Sequence, residues 1–547
     1  MTPSEWSGGT GGSRAGSVNT ADHLLERGED DAVALVEGGR RHSYRTVREA
    51  ASRLSAALAD LDLPAGARVG LLAPNSLFWV AGYLATMKLG LVVVPLADKL
   101  TPREVRRNLD TVGGSALLAT RRSLQRVADA LPAGLPRCTE DLLTQDTRGY
   151  WPDPLPVDPD ADAALMFTSG STARPKAVRI THRNIQANTA SILEYLGLRA
   201  DDRALVILPF HYCYGASLLH THLRTGARLV LCNSFVYPET VLDLLEREEC
   251  TVLAGVPSSF HLLLRAGSFA SRALPTLRLV QQAGGRMPEA SVSELVAAAP
   301  DARIFLMYGQ TEATARLSSL PPELVRRKPG SIGQGIPGVR LQVLDDTLTP
   351  VPPGQVGEIY ATGESISPGY WGDAEGSAAK FTPQGLRTGD LAVLDEDGDI
   401  TVVDRRDEFI KTWGYRVSSH EIEDCALRMP ELVAAAAIGV PDPRAGEAIV
   451  LFAAIRPGAR ITPEDVAAFC GGQLPGHMVP RRVVLLDTLP LTANGKVART
   501  YLRDLAPTTS AAPPSGALED STGPQKRGME RQQPASPQEQ GGGNHVR

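Results

Sequence analysis

Short β-rich runs alternate with segments of helical period through the early part of the chain, and this alternation restricts the fold more than any other sequence feature. Apolar residues recur at helical spacing over residues 44–58 and again over 75–89, and the runs 69–72 and 91–95 stand beside them. Alternation of this kind signals a layered α/β domain built on a mainly parallel sheet. Further apolar runs at 163–167, 204–208, 252–256, 277–281 and 304–307 extend the pattern, and Thr181 is placed to cap a helix reaching about Leu196. Several of these runs end in glycine, polar or aromatic residues: Pro209-Phe210-His211-Tyr212-Cys213-Tyr214-Gly215, Ala283-Gly284-Gly285 and Tyr308-Gly309-Gln310-Thr311-Glu312. Open α/β sheets bind ligands at the carboxyl ends of their strands, so these endings are expected to line one cleft.

Beyond Pro350 the texture changes to short alternating strands at 356–361, 391–394 and 400–403, with a hairpin turn at Asp397-Gly398. The stretch Asp404-Arg405-Arg406-Asp407 is too polar for a core, and residues 405–407 are expected to form a hinge. The expected organisation is a disordered N-terminus at 1–20, a large layered domain at 21–404, and a small mobile α+β domain at 408–505. A tail at 506–547, rich in Pro, Ser, Gln and Gly, is expected to be disordered. The chain has 547 residues, ample for two domains, and no run of apolar residues is long enough to span a bilayer. With no basic and apolar leader at the N-terminus and six scattered cysteines, the expectation is a cytoplasmic protein with reduced thiols. A formal charge of −6 without a basic stripe argues against nucleic acid as a partner.

The most informative local stretch follows the run at 163–167. Thr168-Ser169-Gly170-Ser171-Thr172-Ala173-Arg174-Pro175-Lys176 combines hydroxyls, a glycine and one ammonium, the ingredients of a phosphate cradle. Read alone, the same residues also suit a hydroxyl-rich surface turn between two strands. A Walker A loop is excluded, because no Gly immediately precedes Lys176 and no Ser or Thr immediately follows it. The chain uses arginine far more than lysine; its lysines are Lys88, Lys99, Lys176, Lys328, Lys380, Lys411, Lys496 and Lys526. Each retained lysine is therefore informative, since a compact ammonium and a planar guanidinium meet oxygen anions differently.

Taken in order, the motifs make the chain resemble the adenylate-forming superfamily of acyl-CoA synthetases, adenylation domains and luciferases. The phosphate loop, Tyr308-Gly309-Gln310-Thr311-Glu312, Thr388-Gly389-Asp390, Arg405-Arg406-Asp407 and Asn494-Gly495-Lys496 match five motifs of that superfamily, over a resemblance that spans about residues 21–505. It implies a two-step reaction: a carboxylate attacks the α-phosphate of ATP to give acyl-AMP and pyrophosphate, and a thiol, usually that of CoA, then displaces AMP. On this reading Thr168, Ser169, Gly170, Ser171, Thr172 and Lys176 hold phosphates. Tyr308 stacks on adenine, Gly284, Gly285 and Gly309 let backbone approach the nucleotide, and Asp390 and Arg405 reach the ribose. Glu312 holds Mg2+ with Thr311 beside it, and Lys496 bridges carboxylate and α-phosphate. Arg405 in isolation suits a salt bridge to a hinge carboxylate equally well. Asp407 matches the pivot about which the small domain turns between the two steps, and Trp413-Gly414-Tyr415-Arg416-Val417, with Glu421 and Glu423 beyond it, the segment that shapes the thiol tunnel.

Two positions depart from the superfamily's pattern: Ala173 and Ala177 stand where glycine is usual, and each would be strained if its site needs φ > 0. The resemblance also implies an uncharged tail, because amino-acid-activating members carry an Asp in the segment matching Pro209 to Ser217 and here it has none. His211 matches the position that gates the acyl pocket, though by itself it also suits a hydrogen-bonded structural role, and Phe210, Tyr212 and Tyr214 are its candidate aromatic walls. The expected substrate is an aryl or fatty acid and the expected acceptor CoA. The alternatives are a carrier-protein phosphopantetheine arm, nitrite activation for diazotisation of an aryl amine, or a non-catalytic acyl or nucleotide binder.

Overall fold

The structure is a computed structural model that describes residues 18–145, 149–153, 157–168, 175–235, 237–406, 409–492 and 495–506. Two sheets share the largest core. The first has six strands in the order Arg137–Cys138, Gly114–Ala119, Arg68–Leu72, Val92–Leu96, Asp162–Phe167 and Ala177–Thr181. Its ladders are parallel except the last, where Asp162–Phe167 turns back on Ala177–Thr181. The second has nine strands, and Arg303–Tyr308, Leu279–Gln282, Val252–Gly255, Arg203–Val206, Arg228–Leu231 and Val33–Glu37 run parallel at its centre. Helices Tyr44–Ala59, Leu77–Lys88, His182–Leu196 and Cys213–Thr225 feed the same core. Leu77–Lys88 is buried on every side, which explains why its sequence is apolar all round.

The expected elements are present with shifted ends, and the shifts have local causes. The helix expected at 75–89 begins at Leu77, because the Ser76 hydroxyl accepts the Trp79 N–H and caps it. Asn75 is used elsewhere: its amide nitrogen donates to Leu208 O (2.9 Å) and its oxygen accepts from Phe210 N (2.8 Å). That clamp ends the strand Arg203–Val206 two residues before the expected 208 and sets the path of residues 208–212. Thr181 caps the helix His182–Leu196 as expected, through a reciprocal capping box with Asn184.

A third, antiparallel sheet holds Val339–Leu344, Val356–Gly363, Gly385–Leu394, Phe381–Thr382 and Ile400–Arg405. A fourth holds Tyr415–Val417, Ile410–Thr412, Gly446–Ile455, Leu432–Asp442 and Arg482–Leu486, with apolar clusters of its own. The architecture is thus mixed α/β with a large N-terminal domain and a smaller C-terminal one. The expectation that the 404–407 stretch is too polar for a core fails at Asp404, which is fully buried. Its carboxylate accepts from Arg405 N (2.7 Å) and from Ser419 N (3.1 Å) in the first turn of helix Ser419–Ala426, so backbone donors and a helix N-terminus satisfy the charge. The tail beyond residue 506 and the N-terminus before residue 18 lie outside the described residues.

His182, His220, His222 and His261 are buried, and desolvation favours the neutral ring in each. Desolvation lowers His182 to about 4, and His220 and His261 to about 3. Nδ1 of His182 meets the Thr20 hydroxyl at 2.8 Å, and Nε2 of His220 meets the Tyr83 hydroxyl at 2.9 Å. Once unfolded, each ring binds a proton near pH 6.5, so the unfolded chain takes up more protons as pH falls. Stability is complete above about pH 6.5 and declines towards about pH 4. The melting temperature is expected to fall by several degrees between about pH 7 and about pH 5, above the carboxylate range, and to fall less steeply in His182→Gln. A pH-independent melting temperature over that window would contradict the burial assignment.

Candidate active site

The carboxyl end of strand Arg303–Tyr308 brings the first group of polar residues together. Gly309 allows the chain to double back, since a Cβ there would lie 1.9 Å from the Ala315 carbonyl oxygen. The reversal is closed by Leu317 N donating to Tyr308 O (2.9 Å) and contains the single turn Thr311–Ala313. Glu312 leaves this loop towards Tyr370, whose hydroxyl donates to Glu312 Oε1 at 2.8 Å. On the face of the same ring lies Lys176, its Nζ 4.5 Å from the centroid and 3.1 Å from Asp373 Oδ2. One phenol therefore separates the candidate phosphate lysine from the candidate metal carboxylate. Burial, and then the Glu312 charge, push the ionisation of that phenol upward, so it remains a donor.

The second group surrounds Asp390, which is almost fully buried in strand Gly385–Leu394. The Tyr308 hydroxyl donates to one carboxylate oxygen and Arg405 Nε to the other at 3.1 Å. Arg405 thus does form an ion pair, and its partner is the other candidate ribose residue. Lys380 reaches the same neighbourhood, donating to Thr388 O at 2.7 Å. Burial lowers its ammonium, and the charges of Glu312 and Asp390 oppose that shift. Gly284 has φ +90°, and a Cβ there would meet Val256 Cγ1 at 2.8 Å, so the glycine turn keeps this wall open next to Gly285.

Lys496 arrives from the small domain. Just before it Gly495 N donates to Thr492 O (2.9 Å), and Ser258 Oγ donates to Gly495 O at 2.6 Å. Lys496 Nζ then lies 5.7 Å from the Tyr212 ring centroid. Cys213 stands next to that ring with its Sγ 3.5 Å from Thr311 Oγ1. Burial raises the Cys213 thiol; the Thr311 hydroxyl and the charges of Lys496 and Arg316 pull it down, while Glu312 pushes it up. Cys213 therefore lies between Thr311 and Tyr212, the ring beneath Lys496. His211 is half-buried in the turn before helix Cys213–Thr225.

Arg265 holds the small domain in this position. It ends helix Pro257–Arg265, pairs with Glu294 through Nε (3.2 Å) and Nη2 (2.9 Å), and donates to the carbonyls of Leu427 and Leu432 across the boundary. A second pair, Arg286 with Asp424, lies on the same side.

Of the predicted loop, Ser169, Gly170, Ser171, Thr172 and Ala173 lie outside the described residues, as do Asp407 and Asn494. Thr168 and Lys176 close the loop's base, Thr168 N donating to Lys176 O at 3.0 Å. Ala177 needs no glycine freedom: it is a regular residue of strand Ala177–Thr181, paired with Phe167, and is absent from the non-glycine residues with positive φ. In the predicted tunnel segment, Trp413 and Gly414 form the turn between strands Ile410–Thr412 and Tyr415–Val417, and Glu423 pairs with Arg499 inside the small domain. Sequence reasoning did not single out Asn75, Ser258, Arg265, Tyr370, Asp373 or Lys380. Only Lys380 carried a signal, the scarcity of lysine.

Comparison with known proteins agrees with this geometry. Residues 23–371 match the family described as AMP-binding enzyme, and residues 421–496 match its C-terminal domain. A feruloyl-CoA synthase of an Amycolatopsis species is 33% identical over 477 residues, covering 86% of this chain and 95% of that protein. A long-chain-fatty-acid–CoA ligase of Escherichia coli O6:H1 is 30% identical over 522 residues, covering 87% of this chain and 92% of that protein. The solved structure of o-succinylbenzoate CoA synthetase from Bacillus subtilis, in complex with its acyl-adenylate, superposes with a TM-score of 0.78 at 25% identity, over 89% of this chain and 98% of that one.

Because Arg265 is a buried tie between the two domains, Arg265→Gln is expected to loosen their docking without unfolding either. Hydrogen bonds from a charged donor are worth about 1.5–3 kcal/mol. Amide exchange in Ser419–Ala426 is expected to accelerate at least about tenfold while Arg203–Val206 stays protected. Uniform acceleration throughout the chain would show that Arg265 serves global stability instead.

Proposed function

The chain belongs to the AMP-binding enzyme family, and from that premise we propose how its residues divide the work of an ATP-dependent acid–CoA ligase. In the first step a carboxylate oxygen attacks the α-phosphorus of ATP, pyrophosphate leaves, and an acyl-AMP forms. In the second the thiol sulfur of CoA attacks the acyl carbon, its proton is lost, and AMP leaves. The first step brings two anions together, so the protein's contribution is positioning and charge neutralisation.

The observation that carries this reading is that Lys496 of the small domain stands over the Tyr212 ring, next to Cys213, whose thiol accepts from the Thr311 hydroxyl one residue before Glu312. Lys496 bridges the attacking carboxylate and the α-phosphate. Lys176, with the hydroxyls of the loop from Thr168, takes the outer phosphates, exchanging its exposed pair with Asp373 for phosphate oxygens. Asp390 and Arg405 bind the ribose and Tyr308 lies against the adenine, beside the opening at Gly284 and Gly285. Mg2+ belongs at Glu312: its carboxylate is in no ion pair among the described residues and meets only the neutral Tyr370 phenol, so it suits a hard dication. When bound, that ion would offset charge on the phosphates. His211, with Tyr212 and Tyr214, faces the acyl group.

The domain division that serves these steps is 21–404 and 408–505 with the hinge at 405–407, and turning about it withdraws Lys496 before CoA enters. No helix among the described residues is long and apolar enough to cross a membrane. A cytoplasmic location is the reading favoured by the six free cysteines.

Pyrophosphate release with a panel of aryl and alkyl acids, followed by mass analysis with and without CoA, tests the activity. Lys496→Ala is expected to lose adenylation by about three orders of magnitude or more while still converting supplied acyl-AMP to the thioester, because the ammonium is needed only while the α-phosphate is attacked. Equal loss in both half-reactions would remove Lys496 from this role.

A further inference from the structure

Arg316 is the buried cation that the reaction steps above leave unused. It stands just beyond the turn Thr311–Ala313, is only 2% exposed, and is among the largest fully buried side chains. Its backbone is fixed at both ends by Asn188, which accepts from Arg316 N (3.3 Å) and donates to Arg316 O (3.0 Å). Its guanidinium lies over the Tyr214 ring with Cζ 3.8 Å from the centroid. Yet Nε and Nη2 have no hydrogen-bond partner among the described residues, and no ion pair there includes Arg316.

Three other arginines turn that edge to a carboxylate. Arg278 turns Nε and Nη2 to Asp202, Arg387 turns the same pair to Glu358, and the equally buried Arg265 turns it to Glu294. This edge is the planar fork that receives a carboxylate through two parallel hydrogen bonds. Leaving it empty in a buried position is costly, and a cation over an aromatic ring does not satisfy the two N–H groups.

Gln281 adds a third unsatisfied donor. It is 1% exposed, its Nε2 has no hydrogen-bond partner among the described residues, and its backbone oxygen accepts from the Tyr214 hydroxyl at 2.7 Å. In strand Leu279–Gln282 it pairs with Phe305 and shares the sheet face of Leu279, Phe305 and Met307. Tyr214 thus bridges Gln281 and Arg316. Burial raises the phenols of Tyr212 and Tyr214, and the Arg316 charge opposes the shift in both. The cluster begins one residue past Cys213, which meets the Thr311 hydroxyl.

We infer that Arg316, with Gln281 beside it, receives a second carboxylate at the far end of the acid substrate, so that the enzyme's substrates are dicarboxylic acids activated at one end only. The inference rests on the acid–CoA ligase reading and narrows it. It also revises the expectation of an uncharged tail: the segment from Pro209 to Ser217 lacks an acid and so excludes a cationic tail, but the anion-binding group lies outside that segment, in the loop that follows Glu312.

Pyrophosphate release by the full chain decides the matter, using straight-chain and benzoic acids in matched sets: the monoacid, the diacid of equal length, and the diacid's monomethyl ester. A site built around buried donors discriminates strongly against analogues that leave them unpaired. The diacid is expected to exceed both partners in kcat/KM by on the order of a hundredfold or more. In Arg316→Met that preference should vanish through a rise in the diacid's KM, with the KM for ATP unmoved, and Arg316→Lys should restore part of it. If Arg316→Met does not fold, the wild-type ratio and the Arg316→Lys variant still decide. Monoacids used as well as diacids, or an equal loss for every acid in Arg316→Met, would overturn the inference and leave the ligase function standing. Absence of pyrophosphate release with every acid would overturn both.

Discussion

The parallel hydrogen-bond ladder from Arg303–Tyr308 through Leu279–Gln282, Val252–Gly255, Arg203–Val206 and Arg228–Leu231 to Val33–Glu37 is the constraint on which the rest of the structure depends. Parallel strands all end at the same edge, so each residue that follows a strand is delivered to one place whatever its distance in sequence. Tyr308 and Gly309, Gly284 and Gly285, Pro257 and Ser258, and His211 and Tyr212 arrive there in this way. The register is fixed by the core: Leu279 and Phe305 face one cluster while Val280 and Ile304 face another, and a slip of one residue would exchange the two faces.

Charge at that edge is held in a form that a ligand can rearrange at small cost. The Lys176–Asp373 pair is more than one-third exposed on both sides, and pairs of this kind are worth about 0–1 kcal/mol. Arg405 is likewise exposed while its partner Asp390 is buried. Glu312 accepts from the Tyr370 phenol and is in no ion pair among the described residues. Arg316 is the opposite case, a cation fixed by its backbone and by Tyr214 before any anion is present. The first three suit groups that come and go with the nucleotide, whereas the fourth suits selection of the acid.

The boundary between the domains follows the same logic. Buried charge sits on it at two points, and both are satisfied by backbone: Arg265 by two carbonyls beyond its carboxylate, Asp404 by two N–H groups. Backbone donors and acceptors at helix ends are available in any α/β structure, so such contacts can form and release without creating an unpaired charge on the partner side. Lys496 depends on this arrangement, because it reaches the large domain through the Ser258 hydrogen bond to Gly495 and its own contact with the Tyr212 ring.

Much of this was legible in the chain itself. Alternating periodicity announced the layered α/β architecture, the glycine and aromatic endings announced a cleft, and the five ordered motifs announced the family, because each depends on residues close together in sequence. What local reading missed were interactions made over long separations. Asn75 clamps residues 208–210, Asp404 is buried against Ser419, Ala177 lies unstrained in a strand, Tyr370 stands between Lys176 and Glu312, and Gln281 and Arg316 share Tyr214. The composition of a segment shows whether a charge is present, but its cost and its partner depend on what the tertiary fold packs around it. The sequence by itself determined the architecture and the chemistry the cleft is equipped for; only the tertiary structure decided which charges are buried and which of them are left for a ligand to satisfy, because desolvation and hydrogen-bond pairing are set by neighbours that lie far away along the chain.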